Sequence, residues 1–201
     1  MSTKSLTFHL RRHLQRSRDD VVKSLEGLSE YDARRPLVPS GTNLLGLVKH
    51  LTGIELGYLG ACVGRPSPVT LPWEDDGSVW ESADMWATAD QSRDYLLGLY
   101  RRAWQHSDES LETLPLDAPA SVPWWSEEHR DTTFGELVVR VVDETAHHAG
   151  HCDIVREVID GRGGGDQGDI GDEEWWTAYV AKIQAAADTF RDTRPVSKGR
   201  A

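Results

Sequence analysis

The residues of this sequence best suited to chemistry lie within 142–157, which reads Val-Asp-Glu-Thr-Ala-His-His-Ala-Gly-His-Cys-Asp-Ile-Val-Arg-Glu. The stretch carries the carboxylate of Glu144 and the imidazoles of His147, His148 and His151. Carboxylates and imidazoles are good ligands for zinc and related divalent metals, and helical bundles bind metals through side chains that project inward from facing helices. The stretch is therefore a candidate metal site.

Helical spacing distinguishes among these four side chains. His148 falls inside the apolar stripe of its segment, and Glu144 lies about 40° from it at about 100° per residue. His151 lies about 20° beyond Glu144, and His147 is farther out. Glu144 and His148 are thus one turn apart and are predicted to point inward, where an ionised carboxylate needs a partner. A metal is one such partner. The alternative is that Glu144 pairs with a nearby arginine and the histidines are ordinary residues at the edge of the core.

A third ligand would have to come from another helix, where the candidates are His9, His13, His50 and His106. His9 and His13 have i, i+4 spacing, but both lie about 100° or more from the centre of their apolar stripe, which favours a polar helix face. His50 is no better placed, because it lies about 100° from Leu51. Periodicity does not choose between His13 and His50.

The elements that must position these residues are predicted to be helices. Apolar periodicity indicates four long helices, and no alternating strand pattern is present; the helices are expected at 6–28, from Thr42 to about Cys62, at 82–114 and at 133–160. Thr133-Phe-Gly-Glu136 has capping-box spacing. The two connections on either side of the third helix are long and rich in proline. The predicted fold class is all-α, a four-helix bundle with long crossover loops and a short C-terminal fifth helix.

The domain organisation follows from these elements. We predict that residues 1–201 form a single helical-bundle domain with its core at about 5–160. A Gly-rich linker is expected at 161–171, the extra helix at 172–190, and a disordered tail at 191–201.

Charge limits the partners of the chain. Its 201 residues include 22 Lys and Arg against 33 Asp and Glu, which gives a formal net charge of −11. This balance disfavours binding to nucleic acid or to an anionic membrane. The one basic patch is predicted to be the solvated face of a helix; it comprises Arg11, Arg12, Arg16 and Arg18. Because no apolar run reaches the roughly 20 residues of a membrane span and no signal-like segment is present, we expect a cytoplasmic protein.

The cysteines and tryptophans have two interpretations each. Cys62 and Cys152 lie in separate predicted helices, so no disulfide is expected. Cys152 follows His148 by one turn and is either a thiolate ligand or nucleophile or, as favoured here, an inert buried thiol. The eight tryptophans are concentrated in the long loops and near helix ends. They either wall an apolar pocket over the metal or close the ends of the bundle.

Two motifs carry a family resemblance that covers about residues 5–160. The first is Asn43-Leu-Leu-Gly-Leu-Val-Lys-His50-Leu, and the second is Glu144-Thr-Ala-His-His148-Ala-Gly-His151-Cys-Asp153-Ile-Val-Arg156-Glu157. Together they resemble the DinB/YfiT-like metalloenzyme family, in the branch that includes mycothiol-dependent enzymes. The resemblance implies a DinB-like bundle whose metal ligands are His50, Glu144 and His148. The sequence departs from the pattern at His147, where an arginine is expected, and at Arg140, where a histidine is common.

The functional prediction is a metal-dependent enzyme that activates a low-molecular-weight thiol for S-transfer to, or isomerisation of, a small electrophile. Zinc is the expected metal, with nickel or another divalent ion as the alternative, and the resemblance makes mycothiol the expected thiol. His147, His151 and Arg156 are assigned to the thiol, with His151 and Arg156 as supporting groups in catalysis. The alternative is a non-catalytic metal-binding stress-response protein. A homodimer is one assembly that the sequence allows, and nothing in the residues identifies the electrophile.

Overall fold

The computed structural model describes residues 4–162 and 170–191, which belong to two compact units divided between Gly163 and Gly164. The first unit contains six α-helices: α1 (Leu6–Lys23), α2 (Glu30–Arg34), α3 (Leu44–Tyr58), α4 (Pro72–Asp75), α5 (Arg93–Thr113) and α6 (Phe134–Asp160). It also has three short 3₁₀ helices, Ala61–Val63, Ser78–Glu81 and Ala83–Met85, and two antiparallel strands, β1 (Pro119–Ser121) and β2 (Asp131–Thr133). The second unit contains α7 (Glu173–Asp188).

The four long helices of the first unit, α1, α3, α5 and α6, form a bundle. Helix α6 packs against α1 and α3, and α3 also packs against α5. Buried leucines, valines and aromatic side chains fill the space between them in two core clusters. Long crossovers connect α3 to α5 and α5 to α6. The predicted all-α bundle with long crossover loops is therefore confirmed.

Side-chain caps set the ends of the helices that matter for the site. Thr133 caps α6 by accepting the Glu136 N–H, and α6 ends at Asp160, just before Gly161, which takes the left-handed conformation at φ 75°. Asn43, rather than the expected Thr42, caps α3 by accepting the Gly46 N–H at 2.8 Å. These caps mark where α3 and α6 begin.

Several boundaries differ from the prediction. Helix α5 begins at Arg93 after the Ser92 cap, because residues 83–85 instead form a separate 3₁₀ turn held by α3. Helix α1 ends at Lys23, and the short α2 and both strands were not predicted. Strands of three residues are too short to show an alternating pattern. Most of the predicted linker and tail lies outside the described residues, at 163–169 and 192–201, and the single-domain organisation stays a prediction.

Arg18 corrects the interpretation of the basic patch. Its side chain is fully buried, not solvated, and it donates from Nε to Glu55 Oε1 at 2.8 Å and from Nη1 to Asp108 Oδ1 at 2.9 Å. Burial works against the charged form, but the two carboxylates outweigh it and raise the pKa of Arg18. This ion-pair cluster joins α1, α3 and α5. No helix in the described part of the chain has the length and apolar character needed to span a membrane.

Candidate metal centre

Three side chains from two helices converge between α3 and α6. His50 projects from α3, and Glu144 and His148 project from successive turns of α6. Glu144 Oε1 lies 3.3 Å from His50 Nε2 and 3.2 Å from His148 Nε2. Among the described residues they form the one group of three or more metal-ligating side chains whose ligand atoms all lie within 4.8 Å of one another. The packing of α3 on α6 thus selects His50 rather than His13 as the neighbour of Glu144 and His148.

The spacing of these atoms fits a tetrahedral metal. Ligands placed about 2.0–2.1 Å from a zinc ion lie about 3.3 Å apart at the tetrahedral angle. The separations of 3.3 and 3.2 Å match two such edges, and all three ligand atoms lie within 4.8 Å of one another. The side chain of Glu144 is 35% exposed, against 18% and 14% for His50 and His148, so the group is open on the glutamate side. Catalytic zinc sites typically have three protein ligands and one open position, and the three candidate ligands with their exposed side match that pattern.

Electrostatics keep Glu144 ionised. Burial would raise the pKa of Glu144, but the hydrogen bond with His50 and the charges of His148 and His50 outweigh it and lower the pKa. For His50, burial would lower the pKa, and the bonds to Asp84 and Glu144 raise it instead. Burial and the neighbouring charge of His50 lower the pKa of His148. The cluster is therefore a carboxylate with one imidazole that favours its neutral form, a donor set suited to a divalent cation.

The outer partner of His50 is Asp84, which no periodic pattern in the sequence marks. Asp84 is 8% exposed, and its Oδ2 lies 2.6 Å from His50 Nδ1. It belongs to the 3₁₀ helix Ala83–Met85, in a segment without apolar periodicity. The only hint in the sequence is an acidic residue between two apolar ones in Ala83-Asp-Met85, which is too common a pattern to predict a contact.

The remaining histidines of α6 lie outward of the cluster. His151 Nδ1 lies 3.2 Å from His148 Nδ1, and both His151 and His147 are exposed. The rings of His147 and His151 are 4.7 Å apart, centre to centre. His151 thus contacts His148, whereas His147 is exposed and contacts none of the three clustered residues through a hydrogen bond. Both positions agree with the helical spacing.

Arg156 is not brought to the cluster. It lies about 12 Å along α6 from His148, at 1.5 Å per residue. Its guanidinium donates to the carbonyls of Ser24 and Glu26 at 2.7 and 2.8 Å and to Asp160 at 2.7 Å. These bonds use the guanidinium to hold the segment after α1 against α6. The assignment of Arg156 to thiol binding or catalysis therefore lacks geometric support.

The other candidate ligands from the sequence also lie elsewhere. His13 is exposed on α1, and His106 Nε2 bonds to the Arg65 carbonyl at 3.0 Å. His9 stacks edge-on against Phe8.

Aromatic side chains lie beside the C-terminal end of α3, and we call the space between this end of α3 and the start of α6 the groove. Trp124 packs on Gly57, where a Cβ would lie 3.6 Å from its ring, and its Nε1 donates to the Tyr58 hydroxyl at 3.2 Å. The Arg140 guanidinium lies 5.1 Å from the ring centres of both Tyr58 and Trp125. Gly57 follows His50 by two turns and Arg140 precedes Glu144 by one. Tyr58, Trp124 and Trp125 thus form an aromatic wall beside the groove. Trp73, in contrast, is buried in the core.

The two thiols are unreactive. Both are free and buried, and burial raises the pKa of Cys62 to about 11 and that of Cys152 to about 12. A thiol with such a pKa is almost entirely protonated near neutral pH and is a poor nucleophile. Cys152 is therefore part of the core rather than of the chemistry.

A comparison with known protein families identifies the family of this chain. A family model described as mycothiol-S-transferase matches residues 9–161. The chain belongs to this family. The matched span contains all of α3 and α6 and therefore His50, Glu144 and His148.

A solved structure is also similar. It is described as a conserved protein from Enterococcus faecalis, and it aligns with a TM-score of 0.61 at 13% identity over 80% of this chain and 100% of that one. At this identity the likeness shows a shared fold alone. No curated protein matches the chain.

Proposed function

We propose that this member of the mycothiol-S-transferase family is a divalent-metal-dependent enzyme that transfers a low-molecular-weight thiol to a small electrophile or uses that thiol to isomerise it. The observation that carries the proposal is the pair of 3.2–3.3 Å separations among His50, Glu144 and His148, which fit the edges of a zinc tetrahedron. Zinc is the metal we propose, and mycothiol is the thiol, because of the family to which the chain belongs.

His50 and His148 would hold the metal through Nε2 and Glu144 through Oε1. The bound metal would lower the pKa of a thiol and so supply thiolate near neutral pH. Glu144 would offset one charge of the cation, and its exposed side leaves room for the thiol. The aromatic wall formed by Tyr58, Trp124 and Trp125 would hold an apolar part of the electrophile against the groove.

The transfer step balances without an oxidant or reductant. The thiol loses its proton to solvent, its sulfur forms a bond to an electrophilic carbon, and the leaving group departs with the electron pair of the broken bond. In the isomerisation variant, sulfur adds to a conjugated carbon and later leaves with the same electron pair. The residues of this chain supply binding, orientation and a cation site in either case.

The deciding experiment measures bound metal in five variants after dialysis. His50→Ala, His148→Ala and Glu144→Gln should each lose zinc, because two remaining ligands compete poorly with buffer. His147→Ala is the matched control on the same helix and should retain near-stoichiometric metal. His151→Ala should retain metal with reduced thiol consumption, because its ring supports His148 from outside. Loss of metal from His147→Ala with retention by His148→Ala would contradict the ligand assignment.

Catalysis is tested separately by consumption of thiol in the presence of reactive electrophiles, with and without a chelator. Turnover that stops on chelation and returns with zinc supports the enzyme. A protein that binds metal stoichiometrically but consumes no thiol across such a screen would instead be a non-catalytic metal-binding protein. We also propose a cytoplasmic location, since both cysteines are free thiols and the proposed co-substrate must be reduced.

A further inference from the structure

We propose that Asp84 is a positioning residue that holds His50 in the tautomer able to bind metal; this inference rests on the metal site proposed above. The contact is short and shielded from solvent, with Asp84 Oδ2 2.6 Å from His50 Nδ1 and Asp84 only 8% exposed. A neutral imidazole carries a single ring proton, and that proton resides on Nδ1 because the contact with Asp84 at 2.6 Å is much shorter than the contact of Nε2 with Glu144 at 3.3 Å. The unprotonated Nε2 then faces Glu144 and the proposed metal position.

The backbone around Asp84 is held in place by α3. Lys49 is 2% exposed, and its Nζ donates to the carbonyls of Ala83 at 2.5 Å and Trp86 at 3.0 Å. Asn43 Nδ2 donates to the Met85 carbonyl at 3.1 Å. A buried ammonium is costly to desolvate unless its donors are satisfied. Here the donors of Lys49 bond to the segment that carries Asp84. Because Lys49 and His50 are neighbours on α3, these bonds fix the position of the Asp84 carboxylate relative to His50.

Two backbone features point to the same segment. Ser82, which begins the turn, is the one non-glycine residue with positive φ in the part of the chain described, at 63°. Such conformations are uncommon and concentrate at sites whose geometry the surroundings impose. On α3, Gly46 is in such close approach to the Met85 carbonyl that a Cβ there would collide with it. The positive φ of Ser82 and the close approach of Gly46 to Met85 both indicate that residues 83–85 are held against α3, the helix that bears His50.

The two proposed histidine ligands differ in their outer partners. His50 has a buried carboxylate, whereas His148 has the exposed imidazole of His151. A carboxylate partner increases the basicity of the imidazole and restricts its orientation, and loss of such a partner commonly weakens metal binding about 10–100-fold. Asp84 is therefore expected to contribute more to metal affinity than His151 does.

The first test compares zinc affinity, measured by competition with a chromophoric chelator, in Asp84→Asn and Asp90→Asn. Both variants remove one negative charge near Lys49, but only Asp84 contacts His50. Asp84→Asn should bind zinc about 10–100-fold more weakly, and Asp90→Asn should stay within about twofold of the unmodified protein. Equal affinities in the two variants would overturn the inference.

The second test needs neither metal nor turnover. Long-range ¹H–¹⁵N NMR of the metal-free protein at alkaline pH, where the ring is neutral, should show His50 as the Nδ1–H tautomer, and Asp84→Ala should lose that preference. A merely structural role for Asp84 would not change the tautomer. Finding Nε2–H in the unmodified protein would overturn the inference even if Asp84 variants fail to fold. If the unmodified protein binds no zinc, the proposed function fails while the tautomer still tests Asp84.

Discussion

Helix α3 carries two polar clusters in the same bundle, and they differ in how their charges are balanced. Around Glu55, the guanidinium of Arg18 is fully buried and bonds to Glu55 and Asp108, and Arg11 bonds to the outer side of Asp108. Around His50, the carboxylates of Asp84 and Glu144 bond to imidazoles alone, and no arginine or lysine in the described ranges forms an ion pair with them. The first cluster provides its own cations and the second does not.

This difference separates a structural cluster from a binding site. A buried carboxylate must be paired, hydrogen-bonded or protonated, and the Glu55 cluster meets that requirement within the protein. The His50 cluster has two carboxylates and ring nitrogens that converge, and the neighbouring ammonium of Lys49 donates to backbone carbonyls rather than to either carboxylate. A divalent cation would supply what is missing. The comparison predicts that the Glu55 cluster governs stability and the His50 cluster governs ligand binding.

The largest effect is expected from breaking the buried ion pair. Arg18→Met leaves Glu55 buried without its cation and should lower the free energy of unfolding by about 3–5 kcal/mol, measured by urea denaturation. The matched control on α1 is Arg16→Met, whose native side chain is 75% exposed, and it should change stability by about 0.5 kcal/mol or less.

The double variant Arg18→Met/Glu55→Leu sharpens this result. It removes both buried charges and should recover most of the lost stability, because an apolar replacement of a buried pair is often neutral or better. An Arg18→Met variant no less stable than Arg16→Met would show that the cluster does not govern stability.

The second expected effect belongs to the His50 cluster. Zinc at about one hundred times its dissociation constant should raise the free energy of unfolding by about 2.7 kcal/mol, measured by urea denaturation with and without the metal. Glu144→Gln should lose this gain, whereas Arg18→Met/Glu55→Leu should keep it. Equal stabilisation of Glu144→Gln would mean that zinc binds elsewhere on the protein.

The smallest effect concerns Glu74, a carboxylate that interacts electrostatically with Asp84. Burial, followed by the charges of Asp75 and Asp84, raises the pKa of Glu74 from 4.5 to about 7. The folded protein then binds more protons than the unfolded chain between these values, so this group contributes most stability below pH 4.5 and loses that contribution as pH rises through 7. Because Glu74 is more than a third exposed, we expect a loss of only about 1 kcal/mol.

The measurement for Glu74 is the free energy of unfolding of the metal-free protein at acid and at mildly alkaline pH. Glu74→Gln should remove this part of the decline with pH and should be the more stable protein at the alkaline end. If the free energies of unfolding of the two proteins change in parallel with pH, the pKa of Glu74 is not raised by burial and neighbouring negative charge.

Local backbone geometry explains what could be predicted from the sequence. The 3.6-residue period predicts the long helices, and the Thr133 cap and Gly161 mark the ends of α6. The i, i+4 spacing of Glu144 and His148 places them on one face wherever the helix packs. Arg18 could have been recognised too, because it falls between Leu14 and Val21 on the apolar stripe of α1. It is one of four arginines between positions 11 and 18, and such a concentration of charge is typical of a solvated helix face.

Only the tertiary structure decided which residues lie beside Glu144 and His148. His13 and His50 are equivalent by periodicity, and the packing of α3 on α6 places His50 3.3 Å from Glu144 while His13 stays exposed on α1. Asp84 lies in a loop with no period, and bonds from Lys49 and Asn43 bring it to His50. A helical period describes one helix at a time. The approach of separate helices and loops depends on the packing of all their side chains together, so no single segment of sequence specifies it.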